Sequence, residues 1–229
     1  MRAAFCISVG DLRSGYFTVL DGVSLVVVLD FPILVEVDFA SFDIPGTILV
    51  ACDTGEVEIN LAVISFGGDV TYDIPLQPVL ELSNIQLQAN GGTPMGAALS
   101  MAKDLLEDKE IIPSKGYRPA IVLVSDGAPT DAWESPMENF VKNGRSSKCQ
   151  RFAMAIGTSQ DDPVLNKFME GMEMPVYLAT DATKIREFFK FVTMSVSQRS
   201  KSQNPNILPS PISQSQNMTD LARGFGIDL

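Results

Sequence analysis

The chain has 229 residues, of which 45% are hydrophobic, so it is long enough to bury one sizeable core. Its 28 acidic residues outnumber its 17 basic ones, and the formal charge of -11 argues against nucleic acids and membranes as partners. The absence of histidine excludes imidazole bases, Ser-His and Cys-His catalytic pairs, and the usual zinc and haem ligand sets.

The cysteines and the apolar stretches indicate where the protein resides. Cys6, Cys52 and Cys149 are widely spaced and form no CxxC pair, which is typical of reduced thiols inside a cell. The apolar stretch Val23 to Leu29 is too short for a membrane span of about 20 residues. Residues 1 to 10 lack the pattern of a signal peptide. We therefore expect a cytoplasmic protein.

Residues 1–56 form an atypical first segment, rich in Val, Leu, Phe and Asp and with only two basic residues. They show no helical period, but three runs resemble strands: Tyr16 to Leu20, Leu25 to Leu29 and Ile33 to Val37. The sheet predicted below needs an apolar central strand, and Leu25 to Leu29 is the run that we expect to supply it.

The pattern becomes regular after residue 57. Ile59 to Phe66 reads as a strand that ends at Gly67-Gly68, and Val70 to Leu76 alternates as an edge strand. These two strands predict a hairpin. Further strands are predicted at Ala120 to Val124, Arg151 to Ile156 and Val176 to Ala179.

Helices are predicted between these strands. Apolar residues at helical spacing follow Thr93-Pro94 and continue to about Asp108, and Thr93 is placed as the N-cap. Similar start signals occur at Ser135-Pro136, where Glu138 would complete a capping box, and at Asp162-Pro163. A last helix would run from about residue 185 to residue 196.

The alternation of strands and helices predicts an α/β fold with a mostly parallel sheet and helices on both faces. We assign this domain to residues 57–196. Residues 197–229 are rich in Ser, Gln, Asn and Pro, and are predicted to form a flexible tail.

The strand from Ala120 to Val124 stops abruptly at Ser125-Asp126-Gly127. Ligands of open α/β sheets bind at the carboxyl ends of the strands, so Asp126 suits a metal or a partner. Loop aspartates also often do no more than order a turn.

Two loop motifs carry a resemblance to a known family. Gly91-Gly92-Thr93-Pro94-Met95-Gly96 and Val124-Ser125-Asp126-Gly127-Ala128-Pro129-Thr130-Asp131 resemble the von Willebrand factor A domain, in particular bacterial proteins of the tellurium-resistance TerY type. The resemblance covers roughly residues 57 to 196. It implies a Rossmann-like fold with an antiparallel edge strand and a metal-ion-dependent adhesion site.

In that family a Mg²⁺ ion is held by two serines of a DxSxS motif, by a threonine and by an aspartate, and an acidic side chain of the partner protein completes the site. By position, the resemblance assigns the threonine to Thr93 and the aspartate to Asp126. The chain has no DxSxS motif after any early aspartate, namely Asp11, Asp21, Asp30, Asp38, Asp43 or Asp53. Mg²⁺ binding should therefore be weak unless an early aspartate substitutes.

Two explanations of the missing motif stay open. The start of the gene is degenerate or read in a shifted frame, or a divergent protein has replaced the metal site with a metal-free interface.

The resemblance implies a non-enzymatic protein-interaction module of bacterial stress and tellurium-resistance systems. A metal-dependent phosphohydrolase using Asp126 and a degenerate pseudodomain are alternatives. The hydrolase would want a second carboxylate where Val124 stands, and a lysine in the loop. Ser125, Thr130 and Asp131 are expected to order the loop rather than to bind a ligand.

Overall fold

The computed structural model describes residues 60–78, 91–114, 118–125 and 128–201, together with the backbone of residues 24–30. Residue 182 and residues 197–201 are likewise described by their backbone alone. The runs Tyr16 to Leu20 and Ile33 to Val37, and the predicted tail after residue 201, lie outside the described residues.

The strands of the described residues form one sheet in the order β3-β2-β1-β4-β5-β6. All neighbours pair in parallel except β2 and β3, which form an antiparallel hairpin at one edge. The predicted α/β fold, with its mostly parallel sheet and antiparallel edge strand, is confirmed. The strands are β1 (Ser24–Asp30), β2 (Asn60–Gly67), β3 (Asp69–Pro78), β4 (Ala120–Ser125), β5 (Gln150–Ile156) and β6 (Tyr177–Ala179).

The central position of the sheet belongs to β1. Its residue Leu25 pairs with Leu61 of β2 on one side and with Ala120 of β4 on the other. This is the position that we assigned to Leu25 to Leu29. Because β1, β2 and β4 are parallel neighbours, their carboxyl ends meet at the same edge of the sheet.

The helices follow the predicted order along the chain. The last one continues beyond Val196 to Lys201, so residues 197–201 of the predicted tail are helical. No helix in the described part of the chain is both long and apolar enough to cross a membrane. The helices are α1 (Met95–Glu107), α2 (Glu134–Lys142), α3 (Pro163–Phe168) and α4 (Ala182–Lys201), with a short 3-10 helix (Ser146–Lys148) before β5.

Helices cover both faces of the sheet. On one face, α1, α2 and α3 pack on alternate strand residues such as Ile121 and Ala153. On the other face lies α4, because the ring of its Phe191 contacts Phe152, whose side chain points away from that of Ala153. Every residue of β4 and β5 is buried, which explains the apolar runs Ala120 to Val124 and Phe152 to Ile156.

Two of the three predicted helix starts are wrong. Pro94, not Thr93, precedes the first residue of α1, and no side chain of that position caps the helix. Trp133 takes the corresponding place before α2, so Ser135 lies inside the helix and forms no capping box. The third is confirmed, because the Asp162 carboxylate accepts hydrogen bonds from the Val164 and Leu165 amides at 2.9 and 3.0 Å.

Candidate functional site

Three polar loops meet at the carboxyl edge of the sheet. The first is the β2–β3 turn at Gly67 and Gly68. The second, residues 91–94, precedes α1 and is called the glycine loop. The third, residues 125–133, connects β4 to α2 and is called the aspartate loop, of which 126 and 127 lie outside the described residues.

The glycine loop packs closely on the β2–β3 turn. The Gly68 amide donates a hydrogen bond of 3.1 Å to the Gly92 carbonyl. Gly91 has a φ of +68°, and a Cβ atom there would lie 2.8 Å from the Gly68 Cα. Both the backbone conformation and the close approach therefore require glycine at position 91.

The other side of the glycine loop is fastened to the aspartate loop. The Thr93 amide donates to Thr130 Oγ1, and the Thr130 amide donates to the Thr93 carbonyl at 2.8 Å. A Cβ at Gly92 would lie 2.8 Å from Thr130 Oγ1. Position 92 therefore requires glycine because the Thr130 side chain of the aspartate loop leaves no room for a Cβ atom.

The aspartate loop also caps α1. Asp131 Oδ1 accepts the Gly96 amide at 3.1 Å, and Oδ2 accepts the Ala97 amide at 3.0 Å. This carboxylate satisfies first-turn amides and lies where the helix dipole favours negative charge. The expectation that Thr130 and Asp131 order the loop is confirmed, and Asp131 takes the capping role that we had assigned to Thr93.

The position of the glycine loop relates the end of β1 to the site. Since β1 lies between β2 and β4, a loop that contacts the segments following both of them spans the carboxyl end of β1. The last residue of that strand is Asp30. Pro32 and Leu34 stand two and four residues later, where a DxSxS motif would have its serines.

The structure places only one of the two predicted metal ligands. Thr93 is 4% exposed, and it shares the carboxyl edge with the fully buried Ser125 at the end of β4. Asp126 lies outside the described residues, so its assignment as a ligand stays a prediction.

The described residues provide few carboxylate ligands for a divalent cation at this edge. Within them, no three acidic or cysteine side chains lie close enough together to hold a metal ion. Both oxygens of Asp131 already accept backbone amides. Because Mg²⁺ prefers carboxylate and other hard oxygen ligands, binding here would depend on Asp126 and on the end of β1.

Two other carboxylates near this edge cap helices. Asp181, which follows β6, accepts the Thr183 and Lys184 amides at 2.8 and 3.0 Å. The Lys184 amide does most to lower the pKa of Asp181, and the Thr180 hydroxyl and the Thr183 amide act in the same direction. Asp162 caps α3 in the same way. These residues therefore serve the fold rather than a shared metal.

Sequence reasoning missed the link between the two loops. Thr130 and Asp131 contact residues 34 to 37 positions earlier in the chain, and no local pattern reports such contacts. The sequence did indicate that Asp30 lies at the end of a strand, because Asp30 directly follows the apolar run from Leu25 to Leu29.

A family model described as von Willebrand factor type A domain matches residues 41–191, about two-thirds of the chain. The chain belongs to the von Willebrand factor type A domain family. The match includes both loops and every strand from β2 to β6. Searches among curated proteins and among solved structures each found no match.

Membership in the von Willebrand factor type A family assigns the chain to a class of protein-interaction or metal-dependent modules. In this von Willebrand factor type A domain, the carboxyl edge of the sheet unites the glycine loop, the aspartate loop and the end of β1. That edge is the candidate functional site.

Proposed function

We propose that this von Willebrand factor type A domain is a non-enzymatic protein-interaction module that docks its partner at the carboxyl edge of the sheet. The observation that carries the proposal is the double hydrogen bond between Thr93 and Thr130, which joins the two loops of the candidate site. A surface held in one conformation before binding loses little entropy when a partner docks.

A weakly bound Mg²⁺ ion belongs to this proposal. Thr93 and Asp126 would supply two ligands, and Asp30, the last residue of the central strand β1, is a candidate for a third. An acidic side chain of the partner would complete the coordination. With Pro32 and Leu34 in place of serines, the ion would have fewer protein ligands than a complete adhesion site offers, and its affinity would be low.

The cellular role is proposed by resemblance. The motif pair in the glycine and aspartate loops supports a cytoplasmic protein of the tellurium-resistance TerY type, acting in a bacterial stress response. A phosphohydrolase that uses Asp126 has less support. Val124, where a second carboxylate would be wanted, is fully buried in β4, and the aspartate loop contains no lysine.

The metal part is tested by calorimetric titration of the full chain with Mg²⁺ and Mn²⁺. We expect weak, saturable binding that disappears in Asp126→Ala and decreases in Asp30→Asn. Asp161→Ala is the matched control, because Asp161 is an exposed aspartate in the loop after β5. Absence of heat at millimolar metal would leave a metal-free interface. Binding unchanged in Asp126→Ala would show that the ion binds away from the candidate site, and would contradict the metal part of the proposal.

The interaction part is tested with the same variants. Proteins captured by the wild-type chain should be lost with Asp126→Ala and retained with Asp161→Ala. If both variants capture the same proteins as the wild type, the docking surface is not the carboxyl edge. If the domain is a degenerate pseudodomain, the wild-type chain should capture no protein whose capture is lost in Asp126→Ala.

A further inference from the structure

We infer that Thr130 and Asp131 are positioning residues, which fasten the glycine loop and the start of α1 to the described part of the aspartate loop, residues 128–133. The inference deepens the proposed function, and it rests on that proposal for the view that a partner docks at the carboxyl edge of the sheet. It concerns residues that neither loop motif assigns to ligand binding.

The first link fixes the backbone of Thr93 at two points. Its amide donates to the Thr130 side chain, and its carbonyl accepts from the Thr130 amide at 2.8 Å. Two bonds on opposite sides of one residue restrict rotation as well as translation of the chain. The position of the Thr93 side chain relative to the aspartate loop is therefore set by Thr130.

The second link reaches the first turn of α1. Each oxygen of the Asp131 carboxylate accepts a different amide, from Gly96 and from Ala97. Such bonds to an ionised acceptor are stronger than bonds between neutral groups. The helix start, the glycine loop and the aspartate loop are thus connected through two consecutive residues.

Close packing leaves the two loops little room to slide. A Cβ at Gly96 would lie 2.9 Å from the Trp133 Cα, and a Cβ at Gly92 would lie 2.8 Å from Thr130 Oγ1. Trp133 packs against the core formed by α1 and α2. A ligand that displaces the aspartate loop must therefore displace the glycine loop and α1 as well.

Thr130→Val and Thr130→Ser separate the hydrogen bond from the shape of the side chain. Valine keeps the shape and removes the acceptor, whereas serine keeps the acceptor. Thr71→Val, at an exposed threonine of β3, controls for the substitution itself. Val141→Ala, in α2 and away from the loops, controls for a general loss of stability.

Amide hydrogen exchange of the full chain, followed by NMR, tests the links without any ligand. We expect the Thr93 amide to exchange at least about tenfold faster in Thr130→Val, and at nearly the wild-type rate in Thr130→Ser and both controls. Asp131→Ala should accelerate the Gly96 and Ala97 amides instead. A Thr93 amide that is equally protected in Thr130→Val would overturn the inference.

Mn²⁺ titration then tests positioning. We expect Thr130→Val to weaken Mn²⁺ binding at least about fivefold, while Thr130→Ser and Val141→Ala bind as the wild type does. If the Thr93 amide exchanges faster in Thr130→Val but the Mn²⁺ affinity is unchanged, Thr130 links the loops without positioning a metal ligand, and the positioning part of the inference is wrong. If the wild type binds no Mn²⁺, the metal part of the proposed function fails, and amide exchange alone decides whether the loops are linked.

Discussion

The guanidinium group of Arg151 is buried at the end of α3, where its Nε atom donates a hydrogen bond of 2.7 Å to the Phe168 carbonyl. Its Nη2 atom donates to the Glu170 carbonyl at 2.6 Å. Arg151 is 2% exposed, and burial lowers the pKa of its guanidinium, which nevertheless remains protonated. A buried cation thus satisfies carbonyls at a helix end, where positive charge is favoured.

Replacing this cation should destabilise the fold. We expect Arg151→Met to lower the free energy of unfolding by about 2–4 kcal/mol, because it leaves the buried Phe168 carbonyl and the partly buried Glu170 carbonyl without these donors. Lys190→Met, at an exposed position of α4, is the control and should change stability little. Urea denaturation measures both. Equal stability of the two variants would show that the carbonyls find other donors or water.

Removing the hydroxyl group of Tyr177 should increase the stability of the protein, in contrast to the loss expected for Arg151→Met. Tyr177 is 9% exposed and stacks on Phe188 with ring centroids 5.4 Å apart, yet within the described residues its hydroxyl is buried without a hydrogen-bond partner. An unsatisfied buried hydroxyl is unfavourable. We expect Tyr177→Phe to stabilise the protein by about 1 kcal/mol in urea denaturation.

Tyr72 is the matched control, because its hydroxyl accepts the Leu76 amide at 3.1 Å and Tyr72→Phe should therefore destabilise. Ultraviolet titration provides a second measurement. Burial, together with the charges of Glu187 and Asp181, raises the pKa of Tyr177 to about 12. The difference titration between wild type and Tyr177→Phe should show a phenol that ionises there, and ionisation near the ordinary pKa would contradict the burial.

Gly92 and Thr130 should show coupled effects on stability. Gly92→Ala brings a Cβ to 2.8 Å from Thr130 Oγ1, and we expect a loss of about 1–3 kcal/mol from overpacking. Thr130→Ala removes the crowded atom together with its hydrogen bond. The double variant should therefore lose less than the sum of the two single losses, by more than about 0.5 kcal/mol.

Gly171→Ala serves as the control for this cycle. Gly171 has a φ of +82° and open space around it, so its substitution acts through backbone strain and not through contact with another residue. Its effect should add to that of Thr130→Ala. Additive behaviour of Gly92→Ala as well would mean that the loop relaxes without displacing Thr130.

Glu107 gives the protein a predictable dependence on acid. Its Oε1 accepts the Arg145 amide at 2.6 Å and the Lys103 ammonium at 3.2 Å, linking α1 to the segment before β5. Partial burial opposes ionisation of Glu107, but these donors and the Ser146 amide outweigh it and lower the pKa. The ionised carboxylate is therefore favoured in the folded state.

A lowered folded pKa contributes stability above the unfolded pKa, and that stability is lost as pH falls through the folded pKa. We expect Glu107→Gln to be less stable than wild type at pH 7, by no more than about 1 kcal/mol because the site is partly exposed. The difference should vanish in acid. Glu173→Gln, at an exposed carboxylate, is the control. A difference in free energy of unfolding between wild type and Glu107→Gln that stays constant as the pH falls would contradict the lowered pKa of Glu107.

Local sequence patterns predicted most of the fold. The buried strands around Ile121 and Phe152 are continuous apolar runs, and the helices repeat their apolar residues every three to four positions. Asp162 was correctly placed as a cap because a cap of this kind bonds amides two and three residues later. Periodicity and short-range capping are local properties, so a single sequence contains them.

The error at the start of α1 arose because a distant residue replaced a local one. Thr93 has the residue type and the position expected of an N-cap, but Asp131 binds the first-turn amides of α1 from another loop. Arg151 was correctly predicted to lie in a strand, but its bonds to carbonyls of a helix and turn more than fifteen residues later were not foreseen. The site as a whole depends on such contacts between loops, which a linear pattern does not report.

The order of strands also determines when the protein can complete its fold during synthesis. β1 is made early, but it pairs with β4, about 95 residues later in the chain, as Leu25 does with Ala120. Contacts of such large sequence separation form slowly. The hairpin of β2 and β3 is therefore expected to form first, and the middle of the sheet closes only after β4 has left the ribosome. A chain begun at residue 41, where the family match starts, would lack β1 and leave β2 and β4 as unpaired edges.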